Sequence, residues 1–186
     1  MSVRSLLVPL ALFTVLVPAA AQSVTLVSGG QAQFRFVLPP DPDPMESKAA
    51  SELETYFARL AGRPSLTPAA DTPITIEIGR AADNDALLER ASADESGYFI
   101  EVTPAVIRLR GATPTATLYA AYDLLGRLGC RWFMPGEIGE VVPVIGTVQL
   151  PAIAEVELPA FTSRHLQALP GGELSEEWAL RNRLGG

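Results

Sequence analysis

A chain of 186 residues, 48% hydrophobic and 19% charged, can bury one sizeable core, so a single globular domain with a tail is expected. A net charge of -7 and an isoelectric point near 4.7, with no cluster of Lys or Arg, exclude a nucleic-acid binder, because each phosphate contact takes a cation. The single cysteine, Cys130, excludes an internal disulfide framework, so the fold has to rest on its apolar core.

Arg4 precedes an apolar run from Leu6 to Val17 that ends in Ala19-Ala20-Ala21, the charge, apolar core and small-residue site of a secretory signal cleaved before Gln22. Residues 1–21 are thus expected to be removed, and the product to be secreted or periplasmic. The run is shorter than the roughly 20 residues that cross a bilayer, which argues against a permanent membrane anchor.

Residues 22–158 read as one α+β domain. Val24 to Val27 and Phe34 to Leu38 are β-prone and separated by Gly29-Gly30, which predicts a hairpin or a pair of edge strands. Asp43, Pro44 and Glu46 form a helix start, with N-cap, preset φ and capping-box acid. The helix carries Ala49, Leu53, Tyr56, Phe57 and Leu60 on one face and stops at Gly62. Ile74 to Ile78 alternates like a strand, and Asp83 to Arg90 reads as a short helix. Tyr98 to Val102 and Val106 to Leu109 are two strands joined by Thr103-Pro104-Ala105. Thr113 and Pro114 open a second main helix with Leu118, Ala121, Tyr122, Leu125 and Leu128 on one face and Gly129 at its end. Val141 to Leu150 is extended, and Glu155 to Pro159 reads as a polar connector at a domain edge. In residues 159–186, Phe161 to Ala168 reads as a strand and Ser175 to Leu184 as a helix. The order implies a mixed β-sheet with two main helices packed on it.

Few residues have the spacing of a catalytic site. Glu137 and Glu140, three apart, are a pair of the type used in glycoside cleavage, but a turn flanked by Pro135 and Gly136 also accounts for them. Asp41 and Asp43 lack the remaining ligands of a calcium loop, and the single histidine, His165, excludes a two-histidine zinc helix, so no metal or other cofactor is expected. Cys130 lacks the surroundings of a nucleophile and reads as a buried thiol. Trp132 and Phe133 are either core or a sugar-stacking platform, while Tyr119 and Tyr122 lie on the packed helix face.

Five segments occur in one order: ELETYFARLAGRP at Glu52 to Pro64, ITIEIGR at Ile74 to Arg80, GYFIEV at Gly97 to Val102, TLYAAYDLLGRLGCRWFMPGEIGEVVP at Thr117 to Pro143, and LPAFTSRHL at Leu158 to Leu166. Together they resemble the N-terminal domain of bacterial α-glucuronidases and the second domain of β-hexosaminidases and chitobiases, as found ahead of a glycosidase barrel. The resemblance implies an accessory domain without catalytic residues. It implies as partners the catalytic barrel of the same polypeptide and a poly- or oligosaccharide. Pro159, Phe161 and Arg164 resemble the proline, aromatic and arginine that open the first barrel strand, which makes Arg164 a candidate sugar contact beside Trp132. An ordinary surface or interdomain ion-pair role is the other reading of Arg164. A (β/α)8 barrel takes about 250 residues. Residues 159–186 are accordingly expected to be its truncated start or a disordered, aggregation-prone tail, because a lone strand and helix bury too little apolar area. A stand-alone carbohydrate-binding or structural interaction module is the alternative.

Overall fold

The computed structural model describes residues 23–79, 86–161, 163, 164, 166 and 172–185. The segment 1–21 expected to be a signal, the first residues of the helix expected from Asp83, and His165 lie outside the described residues. In chain order the elements are β1 Ser23–Ser28, β2 Gln31–Ala32, β3 Phe34–Val37, α1 Pro44–Leu60, β4 Thr67–Pro68 and β5 Ile74–Ile78. They continue with α2 Ala86–Ala91, β6 Tyr98–Val102, β7 Val106–Gly111, α3 Pro114–Arg127, β8 Arg131–Trp132 and β9 Glu140–Val141. The last are β10 Val148–Pro151, β11 Ile153–Glu157 and α4 Glu173–Arg181.

The fold is α+β. Its main sheet is mixed, in the order β11-β6-β7-β5-β3, with β3, β5 and β7 parallel and β7, β6 and β11 antiparallel. A second sheet has the order β10-β1-β2-β4, and β8 pairs with β9 in a short ribbon. Helices α1 and α3 pack on each other and on the main sheet, α1 on β5 and α3 on β6 and β7. Leu53, Tyr56, Phe57 and Leu60 from α1 meet Leu118, Tyr122 and Leu125 from α3 and Ile76, Ile107 and Leu109 from the sheet, all at most 1% exposed.

Both main helices begin where the local chemistry requires. Asp43 Oδ1 accepts from Met45 N at 2.8 Å while Asp43 N donates to Glu46 Oε2 at 3.0 Å, so two end groups without helical partners are satisfied reciprocally. Thr113 Oγ1 accepts from Ala116 N at 3.1 Å and donates to the Glu95 carbonyl at 2.9 Å, which ties the start of α3 to the turn before β6. At Gly111 a Cβ would lie 2.3 Å from Thr117 N, so only glycine lets the last residue of β7 lie against the first turn of α3.

Two expectations change. The Gly29-Gly30 turn does make a hairpin, but with the two-residue β2, while β3 crosses to the edge of the main sheet and pairs with β5. Tertiary pairing, which a local β pattern does not encode, decides this. Glu155 to Glu157 of the segment read as a polar connector belong to strand β11, which pairs antiparallel with β6 from Ile153 to Glu157. It reads as polar because it is an edge strand whose Glu155 and Glu157 meet Arg127 of α3, at 2.7 and 3.5 Å. Trp178 and Leu180 of α4 pack against the core cluster, and the helix touches α3. Among the described residues of 159–166, the strand pairing found is a bridge between Arg164 and Gly185.

Candidate functional site

Of the residues singled out in the sequence, Glu140, Trp132 and Cys130 meet at the junction where α4 meets α1, α3 and the β8–β9 ribbon. Its hub is Glu140, whose side chain is 8% exposed. One carboxylate oxygen accepts from Trp132 Nε1 at 3.1 Å and from the Tyr56 hydroxyl, and the other pairs with Arg59 at 2.7 Å. Trp132 Nε1 also donates to the Tyr56 oxygen at 2.8 Å. Burial alone would raise the pKa of Glu140, but the bonds from Arg59 and Tyr56 outweigh it and hold the carboxyl below its ordinary value. Burial and the bond to Glu140 push the Tyr56 phenol up.

Arg181 of α4 reaches into the same place. It lies 3.7 Å from Glu140, 3.5 Å from Glu52 and 3.3 Å from Glu177, with its guanidinium 5.8 Å from the Tyr56 ring centre. Trp178 of α4 and Asn182, its C-cap, hold one carbonyl: Trp178 Nε1 and Asn182 Nδ2 both donate to Trp132 O, at 2.9 and 3.1 Å. The fit is loose, because Arg181 stands 3.3 to 3.7 Å from its three carboxylates, with Tyr122 beside Glu52 and Arg181. Burial is the main reason that the pKa values of Glu52 and Tyr122 are raised.

Beside this junction lies a cleft of about 280 Å³ lined by Tyr98, Tyr119, Glu157, Pro159, Arg164 and Arg183, among others. Arg164 Nε donates to Arg183 O and Nη1 to Phe161 O, both at 2.9 Å. Tyr119 donates to Leu184 O at 3.0 Å, and Arg183 Nη1 bridges the Tyr98 hydroxyl at 3.0 Å and Asp123 at 2.9 Å. Burial pushes the Tyr98 phenol up to about 12, so both tyrosines offer neutral hydroxyls at physiological pH.

Arg164 lines this cleft, and two of its nitrogens are engaged by backbone carbonyls that fix its position. Trp132 does not line that cleft. It is 8% exposed, with its ring edge-to-face against Tyr56 and Tyr122. It borders a neighbouring cleft that shares Asn182 and Arg183 with the first. Phe133, the next residue, is 69% exposed. Glu137 is exposed on the turn before Glu140, whose carboxylate is occupied by protein donors, so the two do not form a free acid and base pair. Cys130 is fully buried and burial pushes its thiol up to about 12, far from the thiolate a nucleophile needs. Asp41 is exposed and Asp43 is spent on its helix cap. Sequence reasoning missed Glu140, Arg181 and Asn182 as junction residues. The available signal was an acid at the end of an aromatic loop, and its partner Tyr56 is 84 positions away.

No protein-family model matches the chain, and no curated protein matches it. Solved structures similar to it include a GH20 exo-β-N-acetylglucosaminidase from Vibrio harveyi, at 16% identity and a TM-score of 0.45, over 78% of this chain and 18% of that one. A chitobiase from Flavobacterium johnsoniae is similar at 14% identity and a TM-score of 0.45, over 81% of this chain and 22% of that one. The chain thus spans about a fifth of the length of these structures. No described helix is long and apolar enough to cross a membrane.

Proposed function

We propose that this chain is the exported, noncatalytic accessory domain of a glycoside hydrolase and packs against a catalytic barrel in the same polypeptide. The observation that carries the reading is the loop between β8 and β9. Phe133, Met134 and Ile138 are 69%, 53% and 95% exposed there, yet the loop is firmly built. Phe133 N donates to Gly139 O at 2.8 Å, and at Gly139 a Cβ would come 2.2 Å from Met134 O. Both ends are anchored by the buried pair Trp132 and Glu140. Neighbouring large apolar side chains on a fixed scaffold match a surface meant to be covered. Phe161 and Leu158, where the chain leaves the domain, are also exposed. In this reading Arg164 contacts sugar at the edge of the barrel, and Trp132 supports the cleft from within the core.

The reading frame beyond codon 186 is the first test: strand and helix repeats over about 250 residues support the proposal, and a stop codon defeats it. In the complete polypeptide, Ile138→Asp is expected to lower the melting temperature of the barrel. In the 186-residue chain the same change is expected to shift stability by no more than about 0.5 kcal/mol, since the side chain packs on nothing there. Turnover of aryl glycosides by the 186-residue chain would contradict the noncatalytic assignment.

A further inference from the structure

The α4 junction differs in kind from the rest of the core. Of the nine residues of the helix only Ser175 is buried, and Trp178 and Leu180 are only partly so. What remains is polar: Arg181 against three carboxylates, Lys48 on Glu177 at 3.2 Å, and the two donors on Trp132 O. The distances from Arg181 to its three carboxylates, 3.3 to 3.7 Å, are longer than those of close charged hydrogen bonds, so the ionic side of this contact is loose. An element held by few apolar contacts and an imperfect ionic network opens at lower free energy than the fold that carries it.

We propose that α4 is a charge-locked latch: neutralising Glu140 releases the helix as a unit from an otherwise intact domain, and its release takes apart the cleft around Arg164. The second half follows from connectivity. The cleft is closed by Arg183 O on Arg164, Leu184 O on Tyr119 and Arg183 on Tyr98, and these groups follow α4 directly in the chain. Glu140 is the carboxylate on which the elements meet. It faces Tyr56 and Arg59 from α1, Trp132 from β8, Cys130 just before β8, and Arg181 from α4. Arg181 in turn faces Glu52 from α1, Tyr122 from α3 and Glu177 on its own helix, while Lys48 faces Glu177.

The direction with pH follows from two carboxylates shifted in opposite senses. The pKa of Glu140 is lowered from 4.5, so its contribution is complete above that value and is lost as pH falls through the lower folded value. That of Glu52 is raised from 4.5 by burial, so its protonation comes first and favours the docked state. The latch is therefore expected to open below pH 4.5, with Glu140, and not in the range where Glu52 titrates.

The protein reports on the latch itself, because its two tryptophans, Trp132 and Trp178, are joined by the α4 contact. In the 186-residue chain, acidification is expected to red-shift tryptophan emission and raise its quenching by acrylamide before the far-UV dichroism of the sheet is lost. Glu140→Gln is expected to move that shift toward neutral pH, with the open-to-closed ratio raised roughly two- to five-fold, the worth of the ion pair at 3.7 Å that it removes from α4. Arg181→Met, which removes the α4 side of the lock and leaves Glu140 with Arg59, is expected to do the same and serves if the Glu140 variant does not fold. Emission and dichroism changing in one common acid transition, or both variants keeping the wild-type course of emission with pH, would overturn the latch. Neither result bears on the accessory-domain reading, which is tested by the barrel and by glycoside turnover.

Discussion

Helices α3 and α4 lie against each other, yet they are held by different physics. In α3, nine of fourteen residues are buried, and the helix lies between α1 and the sheet with its start fixed by Thr113 and by the close approach at Gly111. In α4, one of nine is buried, and the helix is held by arginine, tryptophan and asparagine groups aimed at acceptors on other elements. Apolar burial is nondirectional and survives small shifts, whereas an ionic contact is worth little unless its partners are in place and in the right charge state. One region is thus the body of the domain, and the other can be changed separately from it.

Substitutions sharpen this contrast in order of expected effect. Leu118→Ala, at a fully buried α3 position, is expected to cost about 2–5 kcal/mol. Denaturant unfolding should then show dichroism and tryptophan emission falling together at a lower midpoint. A loss seen in emission alone would mean that α3 is not part of the common core. Asp43→Ala removes the α1 capping box and is expected to cost about 1 kcal/mol, with no change in tryptophan emission at neutral pH. If emission did change, α4 docking would depend on the far end of α1. Lys48→Ala breaks a half-exposed pair with Glu177 and is expected to cost about 0–1 kcal/mol, read as slightly faster hydrogen exchange in α4 and none elsewhere.

The body was largely legible in the sequence because its signals are local. The caps at Asp43 and Thr113, the helical spacing of Leu53, Tyr56 and Leu60, and the turn between β6 and β7 each lie within a few residues of what they determine. The junction was not legible, because its meaning depends on long-range pairing. Glu140 looks like a solvated loop acid until Tyr56, Arg59 and Arg181 surround it, and Trp132 looks like a stacking platform until Tyr56 and Tyr122 cover it. The polarity of β11 misled for a related reason: the partners of its acids lie on another element, at Arg127.

That strand has a consequence for how the protein behaves in a crowded solution. Among the described residues β11 is an edge of the main sheet, and its outer side is where a second copy would have to add a strand. Glu155 and Glu157 stand on it two residues apart, so an antiparallel neighbour of the same sequence would bring acid against acid. The opposite edge, β3, is only four residues long and carries the exposed Arg35. Both borders of the main sheet are therefore poor templates for its continuation, and copies of this domain are expected to remain separate particles even where their sheets come into reach of one another.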